Sequence, residues 1–271
     1  VYENRYFSNT DIRAGYFGEM AGVWDSGANG TEFNSMSQAS FVPQENKDAA
    51  GDKGVYFVSA DYNNNTHHGQ LWNYYADELY NTLFIQYDFI KGDDDFNYDI
   101  GAQFIDFSEV GKLKASDTEI DYSLYSLRYN AGWGNGISLA TGASKYTDGD
   151  GQGSTLGAWG GYPYFANGMI YHFFEVGSLR NAESYKVQLG YDFKLESPDK
   201  VGVYLRHTRY YLDSDYSFSS AGDPQDLMTM TGIQLKYRAK GGTYFTGTYE
   251  QHHIDDEPKT WALRLIGGIT F

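Results

Sequence analysis

Residues 184–195 divide their side chains between two faces, and this alternation constrains the fold more than any other feature of the chain. One face carries Tyr185, Val187, Leu189, Tyr191, Phe193 and Leu195, and the other carries Ser184, Lys186, Gln188, Gly190, Asp192 and Lys194. A period of two residues is the period of a β-strand. Since one face has no charge and the other has lysine and aspartate, the strand is predicted to separate an apolar environment from water.

The same alternation recurs along the chain and predicts twelve antiparallel strands. They are 10–22, 31–42, 54–63, 81–90, 97–106, 121–132, 137–145, 184–195, 201–211, 228–239, 243–251 and 261–271. Segment 31–42 is the most polar of them and fits the pattern least well. No run of 18 apolar residues is present, which excludes a transmembrane helix. The sequence therefore predicts an all-β fold.

Composition favours a membrane barrel over a soluble β-protein. The chain has 26 Tyr and 17 Phe but a mean hydropathy of only −0.55. Both values fit a transmembrane β-barrel, in which every second strand residue meets lipid and the lumen and loops are polar. A soluble sandwich or lipocalin-like barrel would bury the charged faces, at several kcal/mol for each unpaired group. We therefore predict one up-and-down transmembrane β-barrel domain over residues 1–271.

Other global features limit the partners and the chemistry. The formal net charge of −16 argues against binding to nucleic acid, which needs a basic surface. The lack of cysteine excludes disulfides, thiolate metal sites and a thiol nucleophile. No phosphate loop, dinucleotide fingerprint or Gly-x-Ser-x-Gly motif is present, and no cofactor is predicted.

The links between strands alternate in length. Short links at 133–136, 196–200 and 240–242 contain the glycine or turn residues of tight connections and are predicted to be periplasmic. Longer links at 64–80, 107–120, 146–183, 212–227 and 252–260 are predicted to be extracellular, as in outer-membrane barrels.

Several segments resemble the OprD-like outer-membrane porins. The last strand ends at Phe271, which resembles the terminal aromatic that serves as an assembly signal in bacterial outer-membrane barrels. The family resemblance is carried by residues 70–83, 101–105, 158–169 and 182–193, and its most distinctive part is Trp-Gly-Gly-Tyr-Pro at 159–163. The resemblance implies an 18-stranded barrel in the bacterial outer membrane, often packed as a homotrimer, that passes small solutes. With room for about twelve strands, the chain is either a smaller closed barrel or the C-terminal part of a longer one.

Alternation assigns a set of charged side chains to the lumen. The basic members are Arg13, Arg128, Lys186, Arg206, Lys236, Arg238 and Arg264, and the acidic members are Glu19, Asp88, Asp99, Asp192 and Glu250. The basic members of the C-terminal half are expected to run from the outer mouth (Lys186, Arg264) through mid-strand (Arg206) to the periplasmic end (Lys236, Arg238). A basic ladder of this type, which guides solute carboxylates, is implied by the resemblance. Opposite charges on opposite walls would order zwitterionic solutes and water, whereas the alternative is that these charges only solvate the wall and pair with neighbours.

The long link 146–183 is the predicted constriction. Its first part is rich in glycine, and its middle carries the aromatic cluster Trp159, Tyr162, Pro163, Tyr164 and Phe165. Aromatic side chains need apolar contacts, and folding into the barrel would supply them while narrowing the pore. The alternative is a lid on top of the barrel or a contact between subunits.

Two further functions stay open at this point. His67, His68, His252 and His253, with Asp255, Asp256 and Glu257, are predicted to lie at the barrel mouth and are the candidates for an outer-membrane hydrolase. A plugged barrel with a structural or interaction role is the other alternative. Asp148 and Asp150 alternate with glycine as in a calcium loop, but the remaining positions of that loop are missing, so no metal is predicted. On the lipid side, His207 and Arg209 are expected near the outer end, within reach of lipopolysaccharide phosphates.

Overall fold

The structure, a computed structural model, describes most of the predicted strands. The described residues are 2–18, 54–111, 121–147, 165–169, 182–195, 199–211, 227–254 and 258–269. They form the strands β1 Tyr2–Phe7, β2 Thr10–Phe17, β3 Val55–Asn63, β4 His67–Ala76, β5 Tyr80–Gly92, β6 Phe96–Glu109, β7 Tyr122–Trp133, β8 Ile137–Tyr146, β9 Glu183–Phe193, β10 Lys200–Tyr211, β11 Leu227–Arg238, β12 Thr243–Ile254 and β13 Thr260–Ile269.

The strands form one sheet in chain order, each hydrogen-bonded to the next. Neighbouring strands are antiparallel, as in the β10–β11 pair, which runs without interruption from Lys200 opposite Arg238 to Tyr211 opposite Leu227. The end strands of the order are β1 and β13, and they pair with β2 and β12, respectively. Since β1 does not pair with β13 in this order, the described sheet is open. The predicted antiparallel up-and-down arrangement is confirmed.

Two strands differ from the prediction. β1 was not predicted, and β4 lies within the segment 64–80 that was expected to be a long extracellular link. The alternation of β4 is obscured because Trp72 and Tyr74 lie on the same face as Gln70, while Leu71 and Tyr75 are exposed on the other. Both faces therefore carry large apolar groups. The predicted strand 31–42 lies outside the described residues.

The strands group into two compact units. Unit 1 contains the described parts of Val1–Tyr87, Gln103–Leu124 and Asp148–Pro163. Its interior is aromatic: the rings of Tyr80 and Phe107 stack at 5.2 Å between centroids, and those of Phe107 and Tyr122 at 5.3 Å. All three side chains are buried.

Unit 2 contains the described parts of Asp88–Ala102, Tyr125–Thr147 and Tyr164–Phe271. Its strands confirm the predicted alternation: Tyr185, Val187 and Leu189 are exposed in β9, whereas Ser184 is buried and Lys186 is half-buried. The face that bears Ser184 and Lys186 is called the polar face below, and the opposite face is called the apolar face. The apolar face presents Leu205, Ile233, Leu263 and Leu265 on the following strands.

Short links join the unit 2 strands at one end of the sheet, called the short-turn end. Residues 134–136, 194–199 and 239–242 connect β7 to β8, β9 to β10 and β11 to β12. Gly136 and Gly242 have φ values of 96° and 87°, a region open to glycine at little cost. This agrees with the turns predicted there.

Among the described residues, no helix has the length and hydropathy needed to cross a membrane.

Candidate functional site

The polar face of unit 2 orders its side chains in rows across the strands. One row aligns Gln188, Arg206, Gly232 and Glu250, and the row two residues closer to the short-turn end aligns Gly190, Tyr204, Gln234, Thr248 and Arg264. The next row aligns Asp192, Gly202, Lys236 and Thr246. Arg264 therefore lies one row nearer the short-turn end than Arg206. Its expected position near the outer mouth stays a prediction, since a row gives only the order of side chains along the strands.

Arg128 is the centre of an ionic cluster on β5, β6 and β7. Its Nη2 lies 2.9 Å from Asp88 Oδ1, and its Nε lies 2.9 Å from Asp99 Oδ1. Asn130 Nδ2 also donates to both carboxylate oxygens of Asp99, at 3.2 and 3.0 Å. Gly101 leaves space for the cluster, since a Cβ there would collide with Asp88 and Arg128. The guanidinium is thus held between two carboxylates by charge-assisted bonds.

Residues 165–169 of the long link lie against this polar face. The ring of Phe165 sits under the Arg128 guanidinium, whose Cζ is 4.7 Å from the ring centroid. Ser184 Oγ donates to Ala166 O at 3.1 Å, and Thr208 Oγ1 donates to Asn167 O at 3.0 Å. Of the predicted constriction residues, Phe165 is therefore on the same face as the predicted lumen charges.

Arg206 and Glu250 hold the end of the same segment. Arg206 Nη1 donates to Gly168 O at 2.8 Å, and its Nε and Nη2 donate to Gln188 Oε1 at 2.9 and 2.8 Å. Glu250 is 1% exposed and accepts a hydrogen bond from the Met169 backbone N–H. Its second oxygen lies 3.1 Å from His252 Nε2. Arg206 and Glu250 thus bind the carbonyl oxygen and the N–H of the same peptide unit from two strands.

Lys186 lies on the same polar face as Arg128 and Arg206. It is half-buried and sits between Gly142 of β8 and Thr208 of β10. The long-link half of the polar face thus carries both signs of charge, because Asp88, Asp99 and Glu250 accompany the three basic groups.

The short-turn end of the polar face carries a different set of charges. Tyr204 Oη donates to Asp192 Oδ1 at 2.5 Å, and Lys236 Nζ lies 4.8 Å from the centroid of the Tyr204 ring. Arg238 is exposed two residues further along β11. In unit 1, Arg13 lies 3.5 Å from Asp11 on the same strand.

The remaining predicted residues lie outside the described part of the chain. They are Glu19, Trp159, Tyr162, Pro163, Tyr164 and Phe271, as well as Asp148 and Asp150 of the discarded calcium loop.

The histidines of the hydrolase alternative lie in strands, and three of them contact groups outside that candidate set. His67 and His68 begin strand β4, where His67 Nδ1 lies 2.6 Å from Tyr87 Oη and His68 Nε2 lies 3.0 Å from Asp61 Oδ2. Their predicted place in an outer loop is wrong. His252 is bound to Glu250, and Asp255, Asp256 and Glu257 lie outside the described residues. No cluster of three or more possible metal ligands occurs in the described ranges.

Sequence reasoning missed the groups that fix the loop segment. Gln188, Ser184, Thr208 and His252 were visible as polar-face residues through alternation, but their cross-strand partners depend on register. The carbonyl oxygens of residues 166–168 carry no sequence signal at all.

Comparison with known proteins identifies the fold. No protein-family model and no curated protein matches the chain. The outer membrane protein OpdK from Pseudomonas aeruginosa superposes with a TM-score of 0.71 at 16% identity, over 98% of this chain and 67% of that chain. A BenF-like porin from Pseudomonas fluorescens gives a TM-score of 0.70 at 16% identity, over 98% and 65%. OccAB4 from Acinetobacter baumannii gives 0.68 at 14% identity, over 98% and 62%.

The chain therefore has the fold of these outer-membrane proteins, and the predicted fold class, a transmembrane antiparallel β-barrel, is confirmed. The chain spans about two thirds of the length of each of these structures. OpdK has also been solved with vanillate.

Proposed function

We propose that the chain forms a bacterial outer-membrane channel for passive diffusion of small hydrophilic solutes that bear a carboxylate. The observation that carries the proposal is the placement of residues 165–169 on the same face as Arg128, Lys186 and Arg206. A loop that lies on the cationic inner wall of a barrel narrows the path and brings solutes close to fixed positive charge. In this reading the short-turn end is periplasmic and the long links are extracellular.

Planar-bilayer recording tests the channel itself. Protein folded in detergent and inserted into the bilayer should give discrete conductance steps. Folded protein that gives no current would contradict the proposal. Vanillate, found with OpdK, is a suitable probe for the carboxylate preference. It should interrupt the current in a concentration-dependent way, whereas vanillyl alcohol, which lacks the carboxylate, should not.

Lipopolysaccharide is the lipid partner that we propose for the outer end of the apolar face. Arg209 Nε donates to His207 Nε2 at 3.3 Å, and His207 Nδ1 lies 2.8 Å from Thr231 Oγ1. The imidazole thus orients an exposed guanidinium near the outer end of the apolar face of β10. An arginine near the membrane interface destabilises a barrel by only about 0–1 kcal/mol. Phosphate groups would pair with it. Arg209→Gln should reduce the lipopolysaccharide retained through purification, and unchanged retention would argue against this contact. The implied homotrimer stays a prediction.

A further inference from the structure

A cavity of about 560 Å³ lies at the short-turn end of the polar face. Its lining includes Asp192, Lys194, Lys200, Tyr204, Lys236 and Arg238, and these six residues define what we call the turn-end pocket. The pocket lies at the opposite end of β9 and β10 from the contacts that Ser184 and Thr208 make with the loop segment.

The charge of the turn-end pocket is strongly positive. Four of its six defining residues are lysine or arginine, and Asp192 is the one acid among these six. The arginines nearer the long links are already occupied: Arg128 is bound by Asp88 and Asp99. Arg206 is bound by Gln188 and the loop carbonyls. The cations of the turn-end pocket, by contrast, are exposed at the short-turn end.

Two of the cations lie directly opposite each other on neighbouring strands. Lys200 of β10 is the register partner of Arg238 of β11, and both are exposed on the polar face. Directly opposed side chains have Cβ atoms about 4.5–5.5 Å apart, and like charges in this position destabilise a sheet. An anion placed between the two head groups turns this repulsion into two attractive contacts.

The spacing of the cations suits a solute with two negative groups. Lys236 and Arg238 lie on the same face two residues apart, so their Cα atoms are separated by about 6.8 Å along the strand. Lys236 is also fixed over the Tyr204 ring, whose hydroxyl is bound to Asp192. Gly202 lies between Asp192 and Lys236 in the register and leaves the floor of the pocket open, since a Cβ there would collide with Asp192.

We propose that the turn-end pocket binds small dianions, with one anionic group between Lys200 and Arg238 and the other at Lys236. The chemical class is a dicarboxylate or a phosphate monoester. The inference deepens the proposed channel function, on which it rests for the route of the solute, by naming a solute class that the wall retains near one end. Binding itself requires only the folded sheet.

Calorimetric titration of the folded full-length chain in detergent at low ionic strength tests the pocket. The probes are succinate and methyl phosphate as the two kinds of dianion, with acetate as the monoanion. We expect saturable binding of at least one dianion and much weaker binding of acetate. The variant Lys236→Gln with Arg238→Gln should weaken dianion binding by about tenfold or more.

A matched double variant controls for net charge and for folding. Lys91→Gln with Lys259→Gln removes two positive charges, both exposed and outside the pocket lining, and should leave dianion affinity unchanged. Asp192→Asn should strengthen binding, because it removes the acid among the defining residues while the amide oxygen still accepts from Tyr204. Equal affinity in the two double variants, or acetate bound as tightly as both dianions, would overturn the proposal.

Dianion binding and bilayer current, measured on the same protein preparation, separate this inference from the channel proposal. Dianion binding without any bilayer current would remove the channel function and leave the pocket. Bilayer current with dianion affinity insensitive to Lys236 and Arg238 would remove the pocket and leave the channel.

Discussion

Arg206 and Glu250 hold the two polar groups of one peptide unit, that between Gly168 and Met169, from strands β10 and β12. The arginine donates to the carbonyl oxygen of Gly168 at 2.8 Å, and the glutamate accepts from the N–H of Met169. Gly232 separates the two in their row, which leaves space for the segment above β11. The carbonyl oxygen carries partial negative charge and attracts the arginine, whereas the N–H carries partial positive charge and attracts the glutamate. The loop is therefore fixed by complementary charges.

Glu250→Ala should loosen the segment at Met169. The substitution removes the charged acceptor of the part-buried Met169 N–H, and a hydrogen bond to a charged group contributes about 1.5–3 kcal/mol. Hydrogen exchange at that amide should accelerate roughly tenfold to a hundredfold, since about 1.4 kcal/mol corresponds to a factor of ten. Exchange followed by mass spectrometry on peptides that cover 165–169 gives the readout.

Glu250→Gln is the control for that measurement. Its amide oxygen still accepts from Met169, so the exchange rate should stay close to that of the parent protein. Exchange that is equally slow in the alanine variant would mean that Glu250 does not hold the segment.

Arg128→Ala should lower the stability of the protein by more than loss of an ion pair on the surface would. The Asp88 side chain is only 2% exposed, so removing Arg128 leaves a buried charge without its ion-pair partner, which costs about 3–5 kcal/mol. Combining Arg128→Ala with Asp88→Asn should recover much of that loss. The temperature at which the folded band disappears in gel electrophoresis measures both effects, and a double variant no more stable than Arg128→Ala would contradict the assignment.

The fold was largely predictable because a membrane barrel has one repeating rule. Uncharged outward faces such as Tyr185, Val187 and Leu189 reveal strand period and orientation directly. The rule fails where both faces are apolar, as in β4, where Trp72 and Tyr74 share a face with Gln70. Packing against β3 decides that strand, since the Phe57 ring centroid lies 6.1 Å from that of Trp72 and 6.5 Å from that of Tyr74.

The site was predictable only as a set of side chains on one face. Alternation placed Arg206 and Glu250 on the polar face, but not in the same row, because a register is fixed by pairing between distant segments. Charge pairing was also hidden: Asp88 and Arg128 are 40 residues apart in the chain and 2.9 Å apart in space. The prediction of an inward aromatic loop is supported by Phe165, whose ring meets Arg128.

The turn between β5 and β6 should weaken in acid. Asp93 Oδ1 accepts from the backbone N–H groups of Asp95 and Phe96, both at 3.0 Å, and these bonds lower the pKa of its carboxyl. A lowered folded-state pKa contributes stability above the unfolded value, and this contribution is lost as the pH falls through the folded-state pKa. The protection factor of the Phe96 amide, which is the intrinsic exchange rate divided by the observed rate at the same pH, should therefore fall at acid pH. Asp93→Asn should flatten this dependence, while an unchanged profile would exclude the carboxylate as its source.

Arg206 and Lys236 should affect the current in different ways. Arg206 makes a fork of two bonds to Gln188 and a third to the loop, whereas Lys236 packs on Tyr204 beside the turn-end pocket. Lys236→Gln removes charge and leaves the contacts of the loop segment in place, so it should shift the permeability ratio toward cations with little change in conductance. Arg206→Gln should change both quantities, because it removes a charge and a loop contact together.

Arg206→Lys separates the two roles of the arginine. Lysine keeps the positive charge but cannot reproduce the planar fork, so loop contacts weaken while the fixed charge remains. We expect larger conductance fluctuations with a nearly unchanged permeability ratio. Reversal potentials under a salt gradient give the ratio, and single-channel noise gives the loop motion. If Arg206→Lys shifted the reversal potential as far as Arg206→Gln, the arginine would act on ions through the position of the loop, and its charge would not be the determinant of selectivity.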